Sequence, residues 1–130
     1  MSLNDPLANA LSNILNSEKA GKEICVIKPV SKLIKQVFDL MNEKLYIGTY
    51  EEIEDKKGNS LKLNLLHKIN KCGSIKPRYA IKAEEIEKWE KRYLPAKDFG
   101  MIIMSTQQGI MTHKEAKKKN LGGRLISYCY

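Results

Sequence analysis

Long apolar runs are absent from this sequence, and cysteines, prolines and aromatic residues are few. Its apolar runs, such as Met101–Met104, are far shorter than the roughly 20 residues that a membrane-spanning helix needs. The amino terminus also lacks the basic segment followed by an apolar segment that marks a secretory signal peptide. We therefore expect a soluble intracellular protein with no membrane partner.

The three cysteines, Cys25, Cys72 and Cys129, are odd in number, widely separated and outside any CxxC pair. This spacing argues against a disulfide framework and against a zinc site. Cys25 and Cys129 lie in strand-like runs, where buried reduced thiols are the usual state. The cysteines therefore favour the reducing cytoplasm, and we expect the protein to hold no metal and no cofactor.

The excess of positive charge lies in one half of the chain. The formal net charge is +8; Met1–Leu66 contains nine basic and nine acidic residues, whereas His67–Tyr130 contains fourteen Lys or Arg against six Asp or Glu. A merely solvated surface would more often spread its charge evenly. The asymmetry therefore indicates a surface that faces an anionic partner such as a nucleic acid.

Hydrophobic spacing predicts an α+β fold of two small domains, residues 1–66 and 67–130. For the first domain it predicts an α-β-α-β-β unit: a helix that begins at Pro6, a buried strand (Ile24–Ile27), a helix (Ser31–Glu43) and a hairpin (Leu45–Glu54 and Ser60–Leu66). Asn4 or Asp5 would cap the first helix. The alternation of Leu61, Leu63 and Leu65 with polar residues predicts a sheet with one wet face, whose other face the helices cover.

The second domain is predicted to be mainly β with short helices. Its expected elements are a short strand (Arg78–Ile81), a charged helix (Ala83–Tyr93), an apolar strand from Met101 to Met104, a short apolar pair at Ile110 and Met111, a basic helix and a final strand that ends at Tyr130. Thr112 and Glu115 have capping-box spacing at the start of the basic helix. We expect Ile86, Trp89 and Tyr93 to face inward.

A polar loop, Ser105–Gly109, lies between two of these strands and is the candidate site. From the residues alone, three interpretations stay open. The loop is a hairpin turn in which Gly109 supplies a permissive backbone, or a hydrolase site with Ser105 or Thr106 as nucleophile and His113 as base, or an RNA contact made by hydroxyls and amides. A hydrolase would need an acid that orients the histidine, and the sequence offers no obvious one.

A longer pattern surrounds this loop. It comprises Ser105-Thr106, Gly109-Ile110-Met111-Thr112-His113, Glu115-Ala116, Asn120 and Gly122-Gly123. Further parts of it are Asp5-Pro6-Leu7-Ala8, then Pro29 and Ser31-Lys32, and then Gly73, Ile75 and Pro77-Arg78. Together these residues resemble the small-subunit ribosomal protein eight family, and the His113 position and the aromatic ending fit its archaeal and eukaryotic branch. The resemblance covers nearly the whole chain.

The resemblance implies a non-enzymatic protein that is a primary binder of small-subunit ribosomal RNA. It implies contact with a helix of the central domain, a role in early assembly of the subunit platform, neighbouring ribosomal proteins as partners, and a monomer outside the ribosome. A regulatory module that binds messenger RNA through the same site is the alternative. A DNA-binding module is disfavoured because no major-groove recognition helix is evident.

The resemblance also assigns site residues in the second half. Ser105, Thr106 and Gln107 occupy positions that contact a distorted region of the family's RNA helix, and Gln108 and Gly109 complete the loop. Bacterial members commonly carry Ser at the position of Gln107 and Glu at that of Arg124. A guanidinium cannot replace an acid that accepts hydrogen bonds, so we expect Arg124 to grip phosphate instead.

Five further positions are candidates for RNA contact. Lys32 matches a basic position of the family, and a helix N-terminus also favours anions. Ser31 is either a contact or only the helix cap. Arg78 is expected to clamp phosphate, whereas Tyr79 either stacks on RNA or belongs to the core. Tyr128, in the last strand, is the weakest candidate of the set.

Overall fold

The computed structural model describes residues 6–28, 30–54, 56, 58–96 and 99–130. The fold is α+β, as the sequence predicted. It consists of two compact units, Met1–Lys71 and Cys72–Tyr130, which we call unit 1 and unit 2. In the described residues, each unit has one antiparallel sheet that packs against helices. The predicted domain limits, 1–66 and 67–130, stay a prediction.

Unit 1 has the predicted order of elements. They are α1 (Pro6–Lys19), β1 (Ile24–Ile27), α2 (Lys32–Glu43), β2 (Ile47–Ile53) and β3 (Ser60–Leu65). The strands lie in the order β1-β3-β2, with both neighbours antiparallel to β3. Leu61, Leu63 and Leu65 are buried and alternate with exposed residues, as predicted. Apolar side chains of both helices complete the core of this unit, including Leu11, Ile14, Ile34 and Phe38.

Two predictions for unit 1 were wrong in detail. Strand β1 is not buried on both faces, since Ile24 and Val26 are 43% and 55% exposed. It is an edge strand whose outer face meets no helix, and a short apolar run does not reveal this by its period. Leu45 neither continues the helix nor begins the strand, because its φ is 62° and its side chain is 67% exposed. The predicted caps of α1, Asn4 and Asp5, lie outside the described residues.

Unit 2 is built around its last strand. Its elements are β4 (Cys72–Ser74), β5 (Ala80–Ile81), a 3-10 turn (Ala83–Glu85), α3 (Ile86–Tyr93), β6 (Met101–Thr106), β7 (Gly109–Thr112), α4 (His113–Lys118) and β8 (Gly123–Cys129). The sheet order is β4-β8-β6-β7, and β5 pairs with β8 as well. The strand at the carboxyl end of the chain therefore contacts three others. The charged helix that was predicted as one segment begins with the 3-10 turn.

The core of unit 2 lies between one face of this sheet and the helices. Met104 and Leu125 from the sheet belong to the same cluster as Ile86 and Trp89 of α3 and Ala116 of α4. Tyr79, Tyr93, Leu121, Tyr128 and Tyr130 pack at its margin. The cysteines of both units are buried and outside disulfides, as predicted for Cys25 and Cys129.

Candidate functional site

The polar loop is a tight hairpin turn. Strands β6 and β7 are joined by two residues only, Gln107 and Gln108, and Thr106 pairs with Gly109 across the turn. Ser105, Thr106 and Gly109 therefore belong to strands, which corrects the prediction of a five-residue loop. Gly109 has a φ of 114°, a backbone conformation that side chains other than that of glycine rarely adopt.

The Thr106 hydroxyl closes this turn. It donates a hydrogen bond to the carbonyl oxygen of Gly109 at 2.9 Å and accepts one from the backbone N–H of Gln108 at 3.2 Å. Its only proton is thus used inside the protein. One oxygen lone pair stays available to an external donor. Of the three interpretations that the sequence left open, the hairpin turn therefore describes the position of the Thr106 hydroxyl.

The other polar side chains of the turn are not used in hydrogen bonds within the described part of the protein. The Ser105 hydroxyl and the side-chain amides of Gln107 and Gln108 have no hydrogen-bond partner among the described residues. Ser105 is half-buried, and both glutamines are exposed. These three side chains therefore present donors and acceptors to whatever approaches the tip of the hairpin.

A row of directly paired residues crosses the sheet at this end. Arg124 of β8 lies opposite Ala80 of β5 on one side and opposite Ser105 of β6 on the other, and Ser105 lies opposite Ile110 of β7. We call Ala80, Arg124, Ser105 and Ile110 the cross-strand row. Directly opposed side chains share a face, with Cβ atoms about 4.5–5.5 Å apart. Because Met104 and Leu125 point into the core, the row faces the other way.

Arg124 of the cross-strand row also contacts the backbone of Arg78. The Arg124 guanidinium is exposed, and its Nη1 donates to the backbone carbonyl oxygen of Arg78 at 3.5 Å. Arg78 is exposed as well. The Ser105 hydroxyl, which has no hydrogen-bond partner among the described residues, thus lies in the same row as Arg124.

Paired glycines allow this close approach. A Cβ atom on Gly123 would overlap the carbonyl oxygen of Ser105, and one on Gly122 would lie 2.5 Å from the carbonyl oxygen of Ile81. An open groove of about 620 Å³ runs beside these glycines. Lys82, which is exposed, lines the groove together with Arg124 and was missed in the sequence. Only the register of β5 against β8 reveals its position.

His113 is buried and bound at both ring nitrogens. Its Nδ1 accepts the backbone N–H of Ile102 at 3.0 Å, and its Nε2 lies 2.8 Å from Oε2 of Glu90. Because Nδ1 accepts, Nε2 carries the proton and donates to the carboxylate. The expectation that no obvious acid orients this histidine was wrong, because Glu90 does so.

This arrangement makes His113 unavailable as the base of a hydrolase. With Nδ1 on Ile102 and Nε2 on Glu90, neither nitrogen is open to a proton from Ser105 or Thr106. Burial lowers the pKa of His113, and this outweighs the nearby Glu90 carboxylate, which raises it. The neutral imidazole is therefore the form that the fold holds.

Ser31 and Lys32, the candidates in unit 1, lie at the start of α2. Ser31 is the N-cap, and its hydroxyl accepts the backbone N–H of Ile34 at 3.2 Å. Lys32 is the first helical residue and is exposed. Both line an open groove of about 630 Å³ with Lys28 and Lys35, and Lys35 forms a 2.5 Å ion pair with Glu52.

The two tyrosine candidates belong to the margin of the core. Tyr79 is half-buried, with its ring centroid 4.7 Å from that of Trp89. Tyr128 is half-buried too, 5.6 Å from the ring of Tyr93, and burial raises the pKa of its hydroxyl. Both rings therefore have a packing role in the fold, whatever else they contact.

The comparison with known families agrees with this geometry. The family model described as Ribosomal protein S8 matches residues 5–130. The chain belongs to the ribosomal protein S8 family. It is accordingly a protein of the small ribosomal subunit that binds ribosomal RNA and serves translation as a structural constituent of the ribosome. S8-family proteins are structural RNA-binding proteins rather than enzymes, in line with the closed environment of His113.

Membrane spans and metal ligands would both change the chemistry of the protein. Among the residues that the structure describes, no helix has the length and hydrophobicity to cross a bilayer. No group of three or more His, Cys, Asp or Glu side chains in those same residues is arranged to hold a metal ion.

Proposed function

We propose that this S8-family protein binds a helix of the central domain of small-subunit ribosomal RNA through the tip of the β6–β7 hairpin and the cross-strand row. In this proposal it acts early in assembly of the subunit platform, next to other small-subunit proteins. It is a monomer outside the ribosome and works in the cytoplasm. The resemblance of its sequence to the family's carboxyl-terminal signature supports this assignment.

The observation that carries the proposal is the position of Ser105 beside Arg124. Regular RNA helices hide their base edges in a deep, narrow major groove, so proteins read distorted regions and 2′-hydroxyls instead. A small hydroxyl approaches such an edge closely, and an adjacent guanidinium binds the flanking phosphate. Ser105 and Arg124 are directly opposed across β6 and β8 and combine both functions on one exposed edge.

Each remaining residue of the tip has its own role in this proposal. Gln107 and Gln108 offer amide donors and acceptors to RNA, and Gly109 allows the RNA backbone to approach. Thr106 keeps the turn closed and accepts one hydrogen bond from outside. Arg78, held near Arg124 through its carbonyl group, extends the contact to a second phosphate.

A second contact is proposed for unit 1. The free N–H groups and the dipole at the start of α2 attract phosphate, and Lys32 adds a full charge there. Ser31 is occupied as the cap, so we assign it a backbone rather than a hydroxyl contact. Tyr79 and Tyr128 are proposed to contact RNA only with their exposed ring edges.

Substitution of Ser105 by alanine tests the central contact. We expect Ser105→Ala to weaken binding to the cognate RNA about tenfold, because one net hydrogen bond is worth about 1 kcal/mol and the RNA group is left unpaired. Binding to a scrambled RNA helix of equal length should change little. The matched control is Ser12→Ala, which removes an exposed serine from α1. Equal losses on both RNAs would show that Ser105 does not read the target.

Footprinting on total small-subunit RNA tests the target itself. Protection should concentrate on one irregular helix of the central domain. Protection of another domain would remove the helix from the proposal. A stronger footprint on the protein's own messenger RNA would favour the regulatory alternative.

A further inference from the structure

His113 lies where the hairpin joins the rest of unit 2. Strand β7 ends at Thr112, whose hydroxyl accepts the N–H of Glu115 at 3.4 Å and so starts helix α4. At this point β6 has no further pairing with β7, because Ile103 is the residue nearest the amino end of β6 that pairs with β7. The backbone N–H of the preceding residue, Ile102, donates instead to Nδ1 of His113.

The same ring ties the hairpin to α3. Its Nε2 donates to the buried carboxylate of Glu90, so one side chain joins β6, α3 and α4. His113 and Glu90 are 1% and 7% exposed, which leaves few other partners for either group. The direction in which the hairpin leaves the core therefore depends on this ring.

We propose that neutral His113 is the positioning residue of the RNA-contacting hairpin, and that its protonation releases the Ile102 N–H and weakens RNA binding. A proton on Nδ1 would face the N–H of Ile102, so one donor would point at another and the bond would break. This inference rests on the proposed function, because it concerns the hairpin assigned there to RNA contact.

The charges that face His113 come from two helices. Glu90 of α3 favours the protonated ring, and Lys114, the next residue in α4, opposes it. Glu87 of α3 and Lys117 of α4 also connect these helices, in a 2.8 Å ion pair that is exposed. From β6, the Ile102 backbone is the group that touches the ring. Glu90 is therefore the charge whose removal should shift the titration.

The test compares Glu90→Gln with the matched control Glu87→Gln. Both remove one carboxylate from α3, but only Glu90 touches the imidazole, and a glutamine oxygen still accepts its Nε2 proton. Amide exchange at Ile102 and affinity for the cognate RNA are measured between pH 5 and pH 8 on the full chain. Because the RNA is the same in every sample, its own titration contributes equally to each profile.

In the unsubstituted protein, we expect protection of the Ile102 amide and RNA affinity to fall together below pH 6.5, the ordinary pKa of histidine. One pH unit below the midpoint, RNA binding should be about tenfold weaker, since about a tenth of the protein is then competent. Glu90→Gln should move both midpoints down by about one pH unit. Glu87→Gln should leave both midpoints unchanged.

A second variant covers the case in which Glu90→Gln fails to fold. His113→Gln offers an acceptor and a donor but does not titrate, so its RNA affinity should lack the acid transition. An acid transition in His113→Gln identical to that of the unsubstituted protein would overturn the inference. Identical midpoints in the unsubstituted protein and Glu90→Gln would overturn it too, while leaving RNA binding intact. Absence of specific RNA binding at every pH would instead overturn the proposed function, and the inference with it.

Discussion

Single atoms decide how closely β8 approaches its neighbours. Gly123 lies opposite both Thr106 and Ile81, and a methyl group there would overlap the Ser105 carbonyl oxygen. Gly122 meets the backbone of β5 in the same way. The cross-strand row exists because these two positions carry no side chain.

We predict that Gly123→Ala destabilises unit 2. The added Cβ would push β8 away from β6, at a cost of about 1–3 kcal/mol that is typical of overpacking. Urea unfolding followed by the fluorescence of Trp89, the one tryptophan of the chain, measures this change. Gly21→Ala in unit 1 measures backbone strain without steric overlap, because nothing lies within 4 Å of a Cβ atom there and its φ of 73° costs about 1–2 kcal/mol. A stable Gly123→Ala would mean that the strands separate without loss.

Ser105 and Thr106 show how adjacent hydroxyls differ in use. They follow one another in β6, yet the Thr106 hydroxyl is bound to Gly109 and Gln108, whereas that of Ser105 has no partner among the described residues. Alternation along the strand places Ser105 on the exposed face, beside Arg124. We therefore propose that Ser105 reads RNA, whereas Thr106 maintains the shape of the turn.

Among the elements, helix α2 is the one through which unit 1 is proposed to contact RNA. Its N-terminus is capped by Ser31 and exposes Lys32, whereas Lys44 lies at its opposite end. Lys35, one turn further on from Lys32, is paired with Glu52. Among the described residues, Lys32 forms no ion pair with an acidic side chain.

We predict that Lys32→Ala weakens binding to cognate and scrambled RNA alike. A phosphate contact carries no sequence information, and its loss should reduce the slope of log affinity against log salt by about one. Affinity measured over a series of salt concentrations gives that slope. Lys44→Ala removes the same charge from the other end of the helix and should leave the slope unchanged. An unaltered slope in Lys32→Ala would remove Lys32 from the interface.

At the scale of the whole molecule, stability is linked to pH through His113. The unfolded chain has a histidine of ordinary pKa, 6.5, whereas burial lowers the pKa of His113 in the folded protein. As pH falls below 6.5 the unfolded state binds the proton first, so its free energy drops relative to that of the folded state. The contribution of His113 to stability is complete above pH 6.5 and is lost as pH falls toward the lower, folded-state pKa.

We therefore predict that the free energy of unfolding decreases from pH 7.5 to pH 5.5. In the window below pH 6.5, the slope from one proton approaches at most about 1.4 kcal/mol per pH unit. Urea unfolding at several pH values, again followed by Trp89 fluorescence, measures it. His113→Gln should show a flatter profile over the same range. Parallel profiles for the two proteins would assign the pH dependence to other groups.

We also propose that the two compact units are domains, with limits near residues 66 and 67. The segment between β3 and β4 exposes His67, Lys68, Asn70 and Lys71 and contains no helix or strand. Charge divides the chain in the same way, since residues 1–66 are neutral and residues 67–130 carry the whole excess. The proposed RNA affinity therefore depends mainly on the second domain.

Local patterns determined much of this protein. The order of elements, the helix cap at Ser31, the cap of α4 at Thr112 and the inward face of β3 all follow from residues within four positions of each other. Such features depend on backbone hydrogen bonds and side-chain period, which act over one helical turn or one strand. The family signature near the carboxyl end is similarly a run of neighbouring residues, and it indicated the family to which the chain belongs.

Tertiary structure alone decided which of these residues meet. Ser105 and Arg124 are nineteen positions apart, and His113 and Glu90 are twenty-three apart. Their contacts depend on the order β4-β8-β6-β7 and on the strand register, which no local pattern specifies. The exposed face of β1 likewise depends on what packs alongside it. Long-range pairing, set by the fit of whole faces rather than by neighbouring residues, placed the polar turn beside Arg124.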